Sequence, residues 1–206
     1  MARDRFATRA AIIESAARLV AAGGVGALGV NGLAESAGCD KVLIYRYFGG
    51  LDGVLRALGA ERMLWPAVRP EDGEGVGDDS LADALCALAL EEWAALSGGA
   101  LMLAAAGAEL VGAHSLGAAT AGQRAERHAA LITALRERYR VPPYADLPAL
   151  LEILSAALTT FALRATYAKS DASKTAPNAF DPGTPAGWRR VEKTMTGLAR
   201  ALLDAE

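Results

Sequence analysis

The chain has 206 residues, of which 52% are hydrophobic and 22% charged, and its net charge is -3. This length can bury a sizeable core, in one compact unit or in a small head and a larger body. The acidic balance argues against a generally basic nucleic-acid-binding coat. The two cysteines, Cys39 and Cys86, are far apart, so we expect reduced thiols rather than a disulfide framework or a Cys-x-x-Cys metal site.

Charged residues interrupt the apolar segments of the chain. Glu14 and Arg18 break the N-terminal segment, which therefore lacks the apolar run of a signal peptide. No charge-free run is longer than that of residues 93–108, which is shorter than the roughly 20 apolar residues that a membrane-spanning helix needs. We therefore expect a cytoplasmic protein with no membrane partner.

The first predicted helix runs from Arg9 to Ala22, with Thr8 as its N-cap. Two short helical patterns then meet at a tight turn. The first closes at Gly38, which tolerates the left-handed conformation after a helix, and Asp40 opens the second as its N-cap. This layout is that of a helix-turn-helix.

The second of these helices has an inward and an outward face. Ile44 and Phe48 fall four residues apart on the side turned to the protein. On the outward face, Lys41 or Arg46 could donate hydrogen bonds to guanine O6 and N7, and small apolar side chains could contact thymine methyl groups. We also expect Tyr45 and Tyr47 to donate hydroxyls to phosphate. The residues on the outward side are Lys41, Val42, Tyr45 and Arg46, and the small apolar side chains are those of Val42 and Leu43.

At these residues the chain resembles the TetR family of transcriptional regulators. The resemblance implies an all-α fold, with a three-helix DNA-binding head and a helical body that dimerises and holds a small-molecule effector. It is carried by Ile12-Ile13, Gly24, Leu33-Ala34, Ala37-Gly38, Ile44-Tyr45, Tyr47-Phe48, Asp52 and Val54-Leu55. The DNA-binding residues that it implies are Asn31, Asp40, Lys41, Val42, Leu43, Tyr45, Arg46 and Tyr47.

Several positions depart from the family pattern, namely Gly29, Val30, Asp40, Tyr47 and Leu51. Asp40 stands where a Ser or Thr cap is usual, which keeps the cap but places a negative charge near phosphate, and Leu51 replaces a lysine that helps hold the DNA backbone. Arg3, Arg5 and Arg9 precede or open the first helix. In this family such an arm can approach DNA phosphates or a minor groove, and a solvated basic tail is the alternative.

A domain boundary is predicted after a fourth helix, Leu51 to Trp65, which Pro66 stops. Residues 66–79 are rich in Pro, Gly and acidic residues. We therefore assign 1–66 to a helix-turn-helix domain and 67–206 to a ligand-binding and dimerisation domain. The first 62 residues carry eight Lys and Arg against six Asp and Glu, so the excess acid lies in the body.

The body is rich in alanine and leucine without alternating β patterns, which predicts a helix bundle. Its last two helices carry apolar stripes that could be internal core, although the resemblance favours pairing with a second subunit. The predicted helices are Ser80 to Leu96, Ala100 to Val111, Ala118 to Tyr139, Asp146 to Lys169 and Pro185 to Ala205. Thr184 is the predicted N-cap of the last helix, with Pro185 at its first helical position. The predicted dimer-interface residues are Leu154, Leu158, Phe161, Trp188, Val191, Met195, Leu198 and Leu202.

An effector site is predicted among the first three body helices. Their side chains are mostly small, with Trp93, Met102 and His114 as exceptions that either fill the core or line a space. Together with Glu92 they would bind an uncharged or weakly charged hydrophobic molecule.

Three short patterns resemble enzyme motifs, but the sequence around each of them argues against a catalytic or metal site. Residues 24–29 match Gly-x-Gly-x-x-Gly but follow an alanine-rich helix instead of a strand, and 113–117 approximate a nucleophile elbow without its first glycine. His114 and His128 lack the spacing that places two metal ligands on one helical face. We predict no catalytic residue, metal or cofactor.

The leading hypothesis is a homodimeric TetR-like repressor that a small molecule releases from its DNA operator. An enzyme with an all-helical body and a helical interaction protein that has lost DNA binding are the alternatives. DNA binding that weakens with salt would separate the first hypothesis from the other two.

Overall fold

The computed structural model describes residues 2–65, 68, 80–112, 114–170 and 180–203, and every regular element among them is helical. The predicted all-α class is confirmed. Nine α-helices occur in this part of the chain, with a short 3-10 turn after the first. They are α1 Ala2–Gly23, α2 Val30–Ser36, α3 Lys41–Phe48, α4 Leu51–Glu61, α5 Leu81–Gly98, α6 Ala100–Leu110, α7 His114–Arg138, α8 Leu147–Ser170 and α9 Pro185–Leu203.

Helix ends differ from the prediction in three places. Helix α1 begins at Ala2, so Thr8 lies inside the helix and is not its N-cap. Residues 2–8 contain neither glycine nor proline, and nothing local stops the helix there. Helix α4 ends at Glu61 instead of Trp65, and α7 begins at His114, one turn before the predicted start.

The chain forms two compact units, which we call the head unit and the body unit. The head unit comprises Met1–Pro66 and Gly99–Arg124, and the body unit comprises Ala67–Gly98 and Ala125–Glu206. Pro66 is an edge of this division, as it is of the predicted domain boundary. Helix α6 and the first part of α7 belong to the head unit by their contacts. The division into a DNA-binding domain, 1–66, and a ligand-binding domain, 67–206, therefore stays a prediction.

The head unit has one apolar core around α1. Helix α1 packs against α2, α4 and α6 and buries a stripe at helical spacing. Removing these side chains from water is the main term that stabilises the unit. The most deeply buried members include Ile12, Ala16, Val20, Leu33, Ile44, Val54, Leu58, Ala105 and Leu116.

A polar contact from α7 explains where α4 ends. Gln123 Nε2 donates to the carbonyls of Gly59 and Arg62, both at 2.8 Å, and Gln123 Oε1 accepts from the amide of Leu64 at 2.8 Å. One side chain thus serves backbone groups that the helix end leaves without partners. Leu64 and Trp65 are both buried, so the chain leaves the helix to pack them.

The body unit packs leucines from four helices around a second core. Leu81, Leu88, Leu135 and Leu147 lie in it, as does Leu203 of α9. Its helix starts have side-chain caps of the predicted kind: the amide of Gly187 donates to Thr184 Oγ1 at 3.0 Å, with Pro185 at the first helical position. That predicted cap is confirmed.

One described helix could span a membrane by length and composition alone. It is α8 over Leu147–Thr166, a third of which is buried inside the protein. Core helices of globular proteins have the same composition, so this similarity alone is weak evidence for a membrane span.

The α4–α7 contact predicts opposite effects for two glycine substitutions. A Cβ added at Gly59 would lie 2.5 Å from the Cβ of Ala119, so Gly59→Ala should destabilise the protein by about 1–3 kcal/mol through overpacking. At Gly122, in α7, a Cβ meets nothing within 4 Å. Gly122→Ala should therefore stabilise the protein by up to about 1 kcal/mol. Urea unfolding of both variants checks this, and equal effects would contradict the close α4–α7 packing.

Candidate nucleic-acid interface

The turn between α2 and α3 has the local chemistry that the sequence predicts. Gly38 adopts a left-handed conformation with φ 62°, and the amide of Cys39 donates to the carbonyl of Ala34. Asp40 Oδ1 then accepts from the amide of Val42 at 2.8 Å, which confirms Asp40 as the N-cap of α3. Gly49, with φ 75°, ends the helix in the usual left-handed conformation.

Burial fixes the rotation of α3 about its axis. Ile44 is fully buried in the head core and Phe48 is half-buried against it. Val42 and Tyr45 are 61% and 56% exposed. Of the predicted DNA-binding residues, Leu43 and Tyr47 are half-buried, and those exposed are Asn31, Asp40, Lys41, Val42, Tyr45 and Arg46.

Two arginines of α1 pack on the aromatic side chains at the end of α3. The guanidinium of Arg5 lies 5.6 Å from the ring centre of Tyr47, and that of Arg9 lies 5.2 Å from the ring centre of Phe48. Arg9 also forms an ion pair with Glu61 of α4. Because this segment is helical, the structure shows no extended arm in residues 2–9. The sequence signal for this contact was the four-residue spacing, which places both arginines on one helical face.

Asp52 ties the first turn of α4 to the start of α7 within the head unit. Its Oδ1 accepts from the hydroxyl of Ser115 at 2.7 Å and from the amide of Ser115 at 3.2 Å. Arg56 donates to its other oxygen at 2.9 Å. The hydrogen bonds from Ser115, followed by the charge of Arg56, lower the pKa of Asp52. A carboxylate at a helix N-terminus is also favoured by the helix dipole, and this contact accounts for the early start of α7.

The predicted effector residues fall in different units. Trp93 and Glu92 belong to the body unit, whereas Met102 and His114 belong to the head unit. Glu92 and Met102 are buried, while His114 is exposed and has a positive φ of 71° at the start of α7. No single unit therefore contains the four predicted residues.

Trp93 packs on a residue predicted for the dimer interface. Its ring lies parallel to that of Trp188, with centroids 4.0 Å apart and planes within 9°. The pair joins α5 to α9 inside the body unit. Sequence patterns assigned the two tryptophans to different sites because the contact spans distant positions.

The other predicted interface residues divide between core and surface. Leu158 is 1% exposed and packs inside the subunit, which leaves it no surface for a partner. Leu198 and Leu202 are 67% and 44% exposed. Phe161 makes an edge-to-face contact with Phe180, and Val191 is half-buried. Leu154, Met195, Leu198 and Leu202 line an apolar groove of about 360 Å³ between α5, α8 and α9.

Buried polar side chains occur on three helices of the body unit. His128 contacts Glu152 through Nδ1 at 3.3 Å and Ser155 through Nε2 at 3.1 Å. Further members are Glu92, Arg127 and Thr159. Among the described residues, no cluster of three or more His, Cys, Asp or Glu could hold a metal ion.

The helix-turn-helix matches a known family. Residues 12–58 match the model of the bacterial regulatory proteins of the tetR family. The matched segment includes α2 and α3 and parts of α1 and α4. The resemblance inferred from sequence is confirmed over this segment. No curated protein matches the chain significantly.

Several transcriptional regulators of known structure share the fold over nearly the whole chain. The fatty acid degradation regulator FadR from Bacillus halodurans is 18% identical, with 93% of each chain covered and a TM-score of 0.57. FadR from Bacillus subtilis in complex with stearoyl-CoA is 15% identical, with 92% and 96% covered and a TM-score of 0.56. The ketosteroid regulator KstR2 of Mycobacterium tuberculosis is 15% identical, with 96% and 95% covered and a TM-score of 0.55. At these identities the likeness shows the fold alone.

The contact between Asp52 and Ser115 predicts a pKa change. Ser115→Ala removes the hydroxyl donor, so the pKa of Asp52 should rise toward its ordinary value. Because the folded-state pKa is lowered, the contact adds stability above the ordinary aspartate pKa, and this is lost as the pH falls through the folded pKa. Carboxyl NMR titration measures the shift. Asp83, whose pKa is lowered by Arg200 and Ser80, is the internal control, and an unchanged Asp52 pKa would contradict the assignment.

Proposed function

We propose that the protein is a homodimeric, cytoplasmic transcriptional repressor that a small hydrophobic molecule releases from its operator. The main support is the orientation of α3 about its axis, because burial of Ile44 leaves Lys41, Tyr45 and Arg46 facing solvent. A helix presented this way suits the major groove. In this role the chain binds and releases DNA and catalyses no reaction.

The exposed side chains of α3 divide by chemistry. Tyr45 can donate its hydroxyl to phosphate, which orients the protein without reading sequence. Lys41 and Arg46 supply charge and can reach guanine, while Val42 can contact a thymine methyl. Asp40 caps the helix beside them, and its negative charge opposes close approach of phosphate.

Replacing Lys41, Tyr45 and Arg46 together with alanine should abolish operator binding. Tyr45→Phe alone should weaken binding to all sequences, and loss of a base contact should cost about 1–3 kcal/mol at one operator position. Fluorescence anisotropy over a salt series measures these affinities. The control is the double variant Arg136→Ala, Arg140→Ala, which removes the same number of positive charges from exposed positions of the body unit. Unchanged binding by the triple variant would defeat the assignment.

The dimer is proposed to form through α8 and α9. Support comes from the apolar groove and from exposed leucines at its edge, which would leave water when a second copy covers them. One head occupies one half-site, so two subunits are needed for a near-palindromic operator.

Leu198→Glu should therefore yield a monomer that no longer binds the operator, because a charge buried without a partner is costly. Leu198 suits this test better than Leu158, whose burial inside the subunit would confound dimerisation with folding. Leu110→Glu places the same charge at an exposed leucine of the head unit and should leave the dimer intact. Light scattering after size exclusion measures the mass. A monomeric Leu198→Glu protein with full operator affinity would contradict the proposal.

The effector is proposed to be a molecule with a long apolar part and a polar end. Two features support this chemistry: the body unit combines an aliphatic core with buried polar side chains, and a protein of the same fold is known in complex with stearoyl-CoA. Sites of this kind are mostly apolar with a few placed polar groups. To release DNA, the molecule must bind the DNA-incompetent state more tightly.

Stearoyl-CoA, stearate and free CoA are the probes, and we expect at least the first to lower operator affinity. Trp93→Ala should abolish this response and leave the operator affinity of the free protein nearly intact. Trp188→Ala is the matched control, because it breaks the same ring stack from α9. If both variants lose the response equally, packing of the pair is what matters, and Trp93 is not an effector contact.

A further inference from the structure

The two arginines that α1 presents to α3 differ in their charge partners. Arg9 lies over Phe48 and is paired with the carboxylate of Glu61. Arg5 lies over Tyr47, is exposed to solvent, and has no carboxylate partner among the residues that the structure describes. Its positive charge therefore stays available beside the C-terminal end of α3.

The contact between Arg5 and Tyr47 leaves the guanidinium N–H groups of Arg5 free to bind a phosphate. A guanidinium over an aromatic ring is held by attraction to the ring face, while its N–H groups point outward from its edge. Those groups match the oxygens of a phosphate in a bidentate contact. Helix α1 and the ring of Tyr47 both restrict the arginine, which lowers the entropy lost when it binds.

We propose that Arg5 binds a phosphate of the operator and that Tyr47 is the positioning residue that holds it there. The inference rests on the proposed function and changes the role of Tyr47. Tyr45 is 56% exposed and has a hydroxyl free to meet the backbone, whereas Tyr47 is half-buried, with its ring beneath Arg5. The two tyrosines thus differ, one contacting phosphate itself and the other acting through an arginine.

A phosphate contact has a signature in the salt dependence of binding. Each neutralised phosphate contributes about -0.9 to the slope of log K against log salt concentration. Arg5→Ala should make this slope shallower by about one and weaken operator and random-sequence DNA alike, because phosphate contacts carry no sequence information. Arg138→Ala is the matched control, since that arginine also lies over a tyrosine, Tyr139, at 5.7 Å, but in the body unit. Its slope should equal that of the parent protein.

Substitutions of Tyr47 test its positioning role. Tyr47→Phe keeps the ring and should keep the parent slope, whereas Tyr47→Ala should reproduce the Arg5→Ala slope. The double variant Arg5→Ala, Tyr47→Ala should then lose little more than either single variant, which simple loss of stability would not produce. Circular dichroism confirms that each variant is folded.

The outcomes separate this inference from the proposed function. The operator is first selected with the parent protein from a random DNA pool, and a parent that binds no DNA overturns both. A parent that binds, with an unchanged slope in Arg5→Ala, overturns the arginine contact alone. If Tyr47→Phe loses as much affinity as Tyr47→Ala, the hydroxyl is itself the donor and the positioning role is wrong.

Discussion

Burial of Ile44 is the constraint on which the recognition surface depends. A short helix makes few backbone hydrogen bonds of its own, so tertiary packing decides its orientation. With Ile44 in the head core and Phe48 against it, the opposite side of α3 must face solvent. The chemistry of that surface, two cations and an exposed tyrosine, follows from which residues the sequence places there.

Helix α4 depends on a second constraint, its attachment to α7 within the head unit. Asp52 binds Ser115 at one end, Gly59 lies against Ala119, and Gln123 binds the backbone at the other end. All three α7 residues, Ser115, Ala119 and Gln123, belong to the head unit.

Local chemistry was readable from the sequence. The caps at Asp40 and Thr184, the turn at Gly38 and the inward position of Ile44 all depend on residues within a few positions of each other. Such features are set by propensity and hydrogen bonding that a short window contains. The five body helices were also predicted, to within a turn at each end, from composition and from breaks at glycine and proline.

Side-chain contacts between residues far apart in the chain could not be predicted from the sequence. Gln123 meets residues about sixty positions away and stops α4 before the proline that the sequence suggested. Trp93 likewise stacks on Trp188, although the sequence analysis assigned Trp93 to the effector site and Trp188 to the dimer interface. Helix periodicity shows which face is apolar but does not show which neighbour covers it.

The proposal that a pair of these heads binds DNA is tested most directly by selecting bound duplexes from a random pool with the 206-residue protein. We expect two inverted half-sites whose centres lie about 34–36 Å apart, or a multiple of that distance, because two recognition helices related by a two-fold axis must enter major grooves on the same side of the duplex. A pool that shows no enrichment after repeated rounds, or enrichment of a lone half-site without its inverted copy, would contradict it.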